Sequence, residues 1–183
     1  MLQPTDYTTT TETTGDTPST ELTGETSITG TIGETPINDY LVQKASRYGG
    51  VGLFTTRPIP RGYVVLVDYL LFHVQSSKTT WAIPVVEEYL KLHYVNRIAY
   101  LDLTYNGDKI PPAFRYNECL VVQAIFFANA CSIGPDRYGI FLQYSRLNHS
   151  CTPNVATIFH KSTRLIYVRA ARDLFEGEEV LVA

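Results

Sequence analysis

Hydrophobic residues recur along this chain with two different periods, which separate strand-like regions from a helical middle. The run YVVLVDYLLFHV (63–74) is rich in β-branched and aromatic residues and predicts one or two strands. Residues 84–101 and 111–131 instead carry apolar residues at helical spacing, which predicts helices. The second helical stretch is apolar around most of its circumference, so we expect it to be buried.

The strand pattern returns in the last third of the chain. NVATIFH (154–160) and RLIYVRAA (164–171) flank the short sequence KST, which predicts a hairpin, and EEVLVA (178–183) reads as a further strand. Strands on both sides of a helical insert at about residues 81–133 predict an α+β fold of short, mostly antiparallel sheets.

The first 37 residues differ in composition from the rest of the chain. They are dominated by Thr, with Gly, Glu, Asp and Pro, and they contain no Lys or Arg. Such a segment has too little apolar surface to offset the entropy of ordering it. We therefore predict a disordered, acidic tail over residues 1–37 and one folded domain over residues 38–183, which is long enough for a hydrophobic core.

Charge and apolar runs exclude several classes of partner. The net charge is −3, but seven of the 18 acidic residues lie at or before Asp39, which leaves residues 44–183 at +4. This charge is far below a nucleic-acid footprint, so no direct nucleic-acid binding is expected. No apolar run approaches the ~20 residues of a membrane span, and no secretory signal is visible. An intracellular protein is expected, nuclear or cytoplasmic.

The stretch NHSCTPN, which begins at Asn148, concentrates polar side chains directly after a partly apolar run. A metal site, a thiol catalyst and a ligand-binding segment could each explain it. His149 and Cys151 alone cannot complete a tetrahedral zinc site, and we expect Cys119 and Cys131 to be small core residues. A His and a Cys two apart on a strand seldom have the geometry of a nucleophile and its base. No metal is predicted.

Four blocks of sequence resemble the SET-domain protein-lysine methyltransferase family when taken in order. They are YGGVGLFTTRPIPRG, FFANACSI, GIFLQYSRLNHSCTPN and VRAARDLFEGEEVLVA. The resemblance runs from about Leu41 to the last residue and is closest to fungal-type proteins and the SET-and-MYND group. It implies a β-clip fold with a knot-like C-terminal crossing, S-adenosylmethionine as cofactor, and a protein or peptide substrate that presents a lysine, for example on a histone. The alternative is a non-catalytic SET-like module that binds protein.

The resemblance also carries site residues onto this chain. Seven positions match residues that lie at the cofactor in the family: Gly50, Val51, Gly52, Leu53, Asn129, Asn148 and His149. Asn148 would act through its side-chain amide and His149 mainly through its backbone. The glycines would let the backbone approach the cofactor closely. Asn154 would turn the chain beneath the C-terminal segment.

The sequence departs from the family pattern at its end. Alignment of GEEVLVA places the family's catalytic Tyr immediately after Ala183, so no catalytic residue is assigned. Cys151 matches a Cys that binds zinc with three downstream cysteines in relatives, and those partners are not in this sequence. We therefore expect the chain to be a fragment with weak or no turnover.

Overall fold

The computed structural model describes residues 35–75, 82–105, 107 and 110–183. The strands are β1 Thr35–Asn38, β2 Leu41–Ala45, β3 Val51–Thr55, β4 Val64–Gln75, β5 Cys131–Gly134, β6 Arg137–Phe141, β7 Asn148–His149, β8 Val155–His160, β9 Leu165–Ala170 and β10 Leu181–Val182. The helices are α1 Ala82–Leu90, α2 Tyr94–Leu101 and α3 Glu118–Asn129, with 3-10 turns at Pro112–Phe114 and Tyr144–Arg146.

The strands form three sheets. The order β1-β2-β3 and the order β5-β6-β4-β9-β8 are antiparallel throughout, whereas the two-residue strands β7 and β10 pair in parallel. The helices lie between β4 and β5 in the chain. This arrangement confirms the predicted α+β class with mostly antiparallel sheets and a helical insert.

Strand β1 marks a difference from the predicted tail. Residues 1–34, most of that tail, lie outside the described residues, but Thr35–Asn38 is a strand that pairs with β2. The antiparallel pairing supplies backbone hydrogen bonds, and the Ile37 side chain packs against the hydrophobic core. Regular structure therefore begins at least three residues before the predicted boundary.

Strand β4 joins two hydrophobic clusters. Its first half pairs with β9 and its second half with β6, with register shifts after Val64 and after Leu70. Val65 and Leu66 belong to a cluster formed by β2, β3, β6, β8 and β9, whereas Phe72 belongs to a cluster beneath the helices. The predicted hairpin is confirmed by the β8–β9 pairing.

The helical predictions need two corrections. Residues 84–101 are not one helix: α1 and α2 are separated by a turn in which the Arg97 side chain donates to the carbonyl oxygens of Leu90 and Leu92. The second stretch is not buried throughout, because α3 packs one side inward and leaves Phe127 62% exposed. The buried residues of α3 pack against α1, α2 and Phe72, which leaves the side that carries Phe127 uncovered. No helix in the described part of the chain is long and apolar enough to cross a membrane.

Candidate functional site: a C-terminal crossing beside a cavity

The C-terminal segment, residues 177–182, lies between β3 and residues 148–154, and we call this arrangement the C-terminal crossing. On one side the amide of Thr55 donates to the carbonyl of Glu178 at 2.9 Å. On the other side the amide of Ser150 donates to the carbonyl of Val182 at 2.7 Å, next to the parallel β7–β10 pair. The crossing therefore brings the motif NHSCTPN against two segments distant in sequence.

Asn154 holds the crossing from within. Its side chain is buried, with the residue only 3% exposed. Its Nδ2 donates to the Glu179 carbonyl at 2.8 Å and to Glu178 Oε1 at 3.0 Å, while its Oδ1 accepts from the Leu181 amide at 2.8 Å. A buried amide with all these groups engaged is a strong positional constraint.

Asn148 and Glu179 form a second buried connection. Asn148 Nδ2 donates to Glu179 Oε1 at 2.7 Å and to the Val51 carbonyl at 3.0 Å. Glu179, 9% exposed, also accepts from Ser46 Oγ at 2.8 Å. Both amide hydrogens of Asn148 are therefore committed inside the protein, which leaves its Oδ1 as the atom that a ligand could contact.

Gly50 and Gly52 are required for different reasons, one for backbone conformation and the other for space. A Cβ on Gly52 would lie 2.3 Å from Glu179 Oε1 and 3.0 Å from Asn148 Nδ2, so the space beside Gly52 is needed by protein side chains. Gly50 has φ +64° in the turn between β2 and β3, and a Cβ there would lie 3.7 Å from Thr104. Leu53 is fully buried, and its carbonyl accepts from the Val180 amide at 2.8 Å.

A cavity of about 390 Å³ lies beside the crossing, between the end of α3, the second 3-10 turn and the β7–β10 pair. Its walls are formed by Thr104, Tyr105, Ala128, Asn129, Ala130, Cys131, Tyr144, Ser145, Leu147, Asn148, His149, Val182 and Ala183. Three of the seven predicted residues, Asn129, Asn148 and His149, are thus brought together. Gly50 lies near Thr104, which lines the cavity, and the Val51 carbonyl accepts from Asn148. Gly52 and Leu53 instead face other groups of the protein.

Asn129 fixes the helical side of the cavity. Its Nδ2 donates to the carbonyls of Ile125 and Thr104, both at 2.8 Å. The side chain therefore ties the last turn of α3 to the segment that follows α2. As with Asn148, its nitrogen is used internally and its Oδ1 remains an acceptor.

Asp68 is a site residue that the sequence reasoning missed. It lies on β4, is 8% exposed, and accepts from the amides of Gln143 and Tyr144 at 2.7 and 2.9 Å. Burial raises the pKa of this carboxyl, although these donors and the Tyr69 amide act in the opposite direction. Asp68 thereby anchors the 3-10 turn that leads into Asn148. A single carboxylate within an otherwise apolar strand is the signal that could have identified it.

Two groups in the cavity wall remain neutral at physiological pH. Burial raises the pKa of the Cys131 thiol to about 11. Burial also raises the pKa of Tyr144, and the nearby Cys131 adds to this, while a hydrogen bond with Thr157 opposes it. The described cavity lining contains no Asp, Glu, Lys or Arg. This wall therefore disfavours a charged amine.

The cysteines differ in their surroundings. Cys119 is exposed, so its prediction as a core residue was wrong, because it lies on the outer side of the first turn of α3. Cys151 is exposed with its Sγ 3.8 Å from His149 Nε2. Among the described residues, no group of three or more His, Cys, Asp or Glu side chains is placed to hold a metal ion.

The sequence pattern that defines the SET domain matches residues 50–183, which include the glycine turn, the cavity and the crossing. The chain belongs to the SET-domain family.

Two curated relatives are similar over short stretches. Histone-lysine N-methyltransferase set5 of Schizosaccharomyces pombe is 41% identical over 56 residues, which is 31% of this chain and 18% of the relative. Protein-lysine N-trimethyltransferase SMYD5 of Homo sapiens is 40% identical over 45 residues, 25% of this chain and 11% of the relative.

The chain matches less than a fifth of the length of either relative. A solved Plasmodium falciparum structure, named as a candidate histone methyltransferase, superposes with a TM-score of 0.42 at 15% identity, covering 79% of this chain and 92% of that one. At that score the superposition does not by itself establish the fold.

The two glutamates of the GEE sequence have separate roles in this SET domain. Glu179 binds Asn148, whereas Glu178 accepts from Arg172, from the Phe175 amide at 3.0 Å and from Asn154. Burial acts to raise the pKa of Glu178, but these donors outweigh it and the pKa lies below its ordinary value. The Glu178 carboxylate therefore holds the crossing as an ion.

Proposed function

We propose that this SET domain is a protein-lysine N-methyltransferase domain that binds S-adenosylmethionine in the cavity beside the crossing. The observation that carries the proposal is the convergence of Asn129, Asn148 and His149 on one cavity. They come from the end of α3 and from β7, and the family membership covers both elements.

The cavity has a size and chemistry that suit this cofactor. Its volume of about 390 Å³ lies within the range of small-molecule sites. Apolar walls at Ala128, Leu147 and Val182 could cover a flat ring, and the Oδ1 atoms of Asn129 and Asn148 could accept from ammonium or hydroxyl groups. These residues, with the backbone of His149, are the proposed cofactor contacts.

Methyl transfer requires a neutral lysine amine, and the uncharged cavity wall favours that form. S-adenosylmethionine, when bound, supplies an electrophilic methyl group on a sulfonium sulfur. A free lysine has a pKa of roughly 10.4 and is mostly protonated at pH 7. A described lining without Asp or Glu side chains withholds their stabilisation from the ammonium form, and burial favours the neutral amine. Asn129, Asn148 and the His149 backbone would hold the cofactor, which would supply this methyl group to the neutral lysine nitrogen and leave as S-adenosylhomocysteine, while the methylated amine would lose a proton to solvent. The walls contribute alignment of the two reactants.

The proposed substrate is a protein lysine. The names of the two relatives, a histone-lysine and a protein-lysine methyltransferase, support this class. A histone is one candidate substrate. Nucleic acid and membrane are not part of the proposal.

Calorimetric titration with S-adenosylhomocysteine tests the cofactor site. Asn148→Ala removes the remaining acceptor and the link to Glu179, so we expect affinity to fall about tenfold or more. Asn117→Ala is the matched control, because it removes an Asn that caps the start of α3, away from the cavity, and costs about 1 kcal/mol of stability. It should bind like the parent.

Transfer of tritium from methyl-labelled cofactor to protein lysines tests the activity. Labelled N-methyl-lysine recovered from a mixture of proteins supports the enzyme, and its loss in Asn148→Ala links it to the cavity. A folded chain that does not bind S-adenosylhomocysteine would contradict the cofactor site. Tight binding without labelled lysine, in a version of the domain that also carries the family's Tyr after Ala183, would favour the non-catalytic, protein-binding alternative.

A further inference from the structure

A second concave site lies on the five-stranded sheet, apart from the cavity and the crossing. It is a hollow of about 210 Å³ where β4, β5, β6 and the β8–β9 turn meet. Leu70, Ile133 and Phe159 form its apolar part. His73, Arg137, Lys161 and Arg164 form the rest of the lining, and we call it the basic hollow. None of these residues lines the cavity.

The positive charges of the basic hollow have no acidic partner in the described structure. No Asp or Glu is part of its lining, and the ion pairs found among the described residues involve other cations. Asp136 lies in the adjacent turn but does not line the hollow, and Asp68 on β4 is bound to backbone amides elsewhere. Cations that converge around an apolar floor favour an anionic ligand.

Arg164 ends the turn between β8 and β9, beside the hollow. Arg164 has φ +57°, in the left-handed region where glycine is more easily accommodated. Its carbonyl accepts from the Leu70 amide at 2.9 Å, which fixes the turn over the hollow.

We propose that the basic hollow binds an acidic peptide segment of a protein partner, with an apolar side chain against Leu70, Ile133 and Phe159. Carboxylates on either side of that apolar residue would accept from Arg137, Lys161 and Arg164. Arginine suits this role because its planar donors match a carboxylate in pairs. The site does not depend on the proposed methyltransferase activity, since it shares no lining residue with the cavity.

Arg164 and Asp136, the two non-glycine residues with positive φ in the described part of the chain, provide a matched test. Arg164→Gly and Asp136→Gly both replace a left-handed residue by the residue best suited to that conformation, so both should fold. The probe is a fluorescently labelled peptide, Glu-Glu-Leu-Glu-Glu, followed by polarisation at low salt. Arg164→Gly should weaken binding about three- to fivefold, as expected for an exposed ion pair, while Asp136→Gly should leave it unchanged or tighten it.

Two further measurements separate the peptide from other anions. Replacement of the central Leu by Asn in the probe should weaken binding, because the apolar floor loses its contact. Lys161→Gln should weaken binding of the original probe. Equal binding by parent and Arg164→Gly would overturn the proposal, as would a single-stranded oligonucleotide or inorganic phosphate that competes as well as the peptide does.

Discussion

The C-terminal crossing and the helical region are held together by opposite kinds of interaction. In the crossing, buried polar side chains connect segments far apart in sequence, as Asn148 and Asn154 connect to residues 178–181. In the helical region, aromatic rings pack on one another, with Phe72 5.4 Å from Tyr100 and 5.9 Å from Phe126 between ring centroids. Its buried polar contacts are few, such as the Tyr100 hydroxyl donating to the Val122 carbonyl at 2.7 Å.

Because of this difference, the stability of the fold and the geometry of the site should depend on different residues. An apolar cluster can accept a side chain of similar volume with little loss, whereas a buried hydrogen-bond partner cannot be removed without leaving another group unsatisfied. No buried side-chain nitrogen or oxygen in the described part of the chain lacks a partner. We therefore expect substitutions in the helical region to change mainly stability, and substitutions in the crossing to change the cavity.

The largest expected effect is on stability, from Phe72→Ala. This buried ring packs against two others beneath the helices, and its removal should lower the free energy of unfolding by about 3–5 kcal/mol. Urea denaturation measures the change, and Phe72→Leu should cost less. Affinity of the folded fraction for S-adenosylhomocysteine should change less than about twofold, since the ring does not line the cavity. A loss of affinity as large as that expected for Asn148→Ala would contradict the proposed difference between the helical region and the crossing.

The next effect is expected from Glu179→Ala in the crossing. The substitution leaves the Asn148 amide and the Ser46 hydroxyl without their acceptor, which should cost about 1–3 kcal/mol. Glu179→Gln keeps an acceptor oxygen and should retain more stability. A double-mutant cycle with Asn148→Ala should show a coupling of about 0.5–3 kcal/mol in urea denaturation. Additive effects would mean that the two side chains do not act together.

The smallest expected effect is a pH dependence from Glu178. Its pKa in the folded state lies below the ordinary 4.5, so its ionised form stabilises the fold above that pH. This contribution is lost as the pH falls through the lowered pKa. The stability difference between parent and Glu178→Gln should therefore be largest near pH 7 and shrink below pH 4.5. Glu176→Gln, an exposed change of the same charge two residues away, is the control, and an equal pH dependence there would contradict the assignment.

Local patterns predicted the elements well. The β-branched run at residues 63–74 is β4, the sequence KST joins β8 to β9, and the insert is helical. The motif NHSCTPN also identified the segment that meets the C-terminal strand. These features depend on side-chain periodicity and turn residues, which are visible within a few residues of sequence.

Long-range partners could not be predicted in the same way. Glu179 contacts Ser46, 133 residues earlier, and Asp68 contacts amides 75 and 76 residues later. Such pairs follow from how the sheets meet, for which no local pattern exists. The same limit explains Gly52, which makes room for a glutamate and an asparagine of the chain itself. It also explains the outward position of Phe127, because helix composition does not say which side the neighbouring elements will cover.

The position of residues 177–182 between β3 and residues 148–154 has a consequence for synthesis on the ribosome. A nascent chain that has emerged only as far as residue 176 has both flanking segments but not the strand that joins them. The edges of β3 and β7 then remain open to chaperones or to unwanted strand pairing, as is general for incompletely folded sheets. Because Val182 forms part of the cavity wall, the cavity is complete only in chains translated beyond that residue.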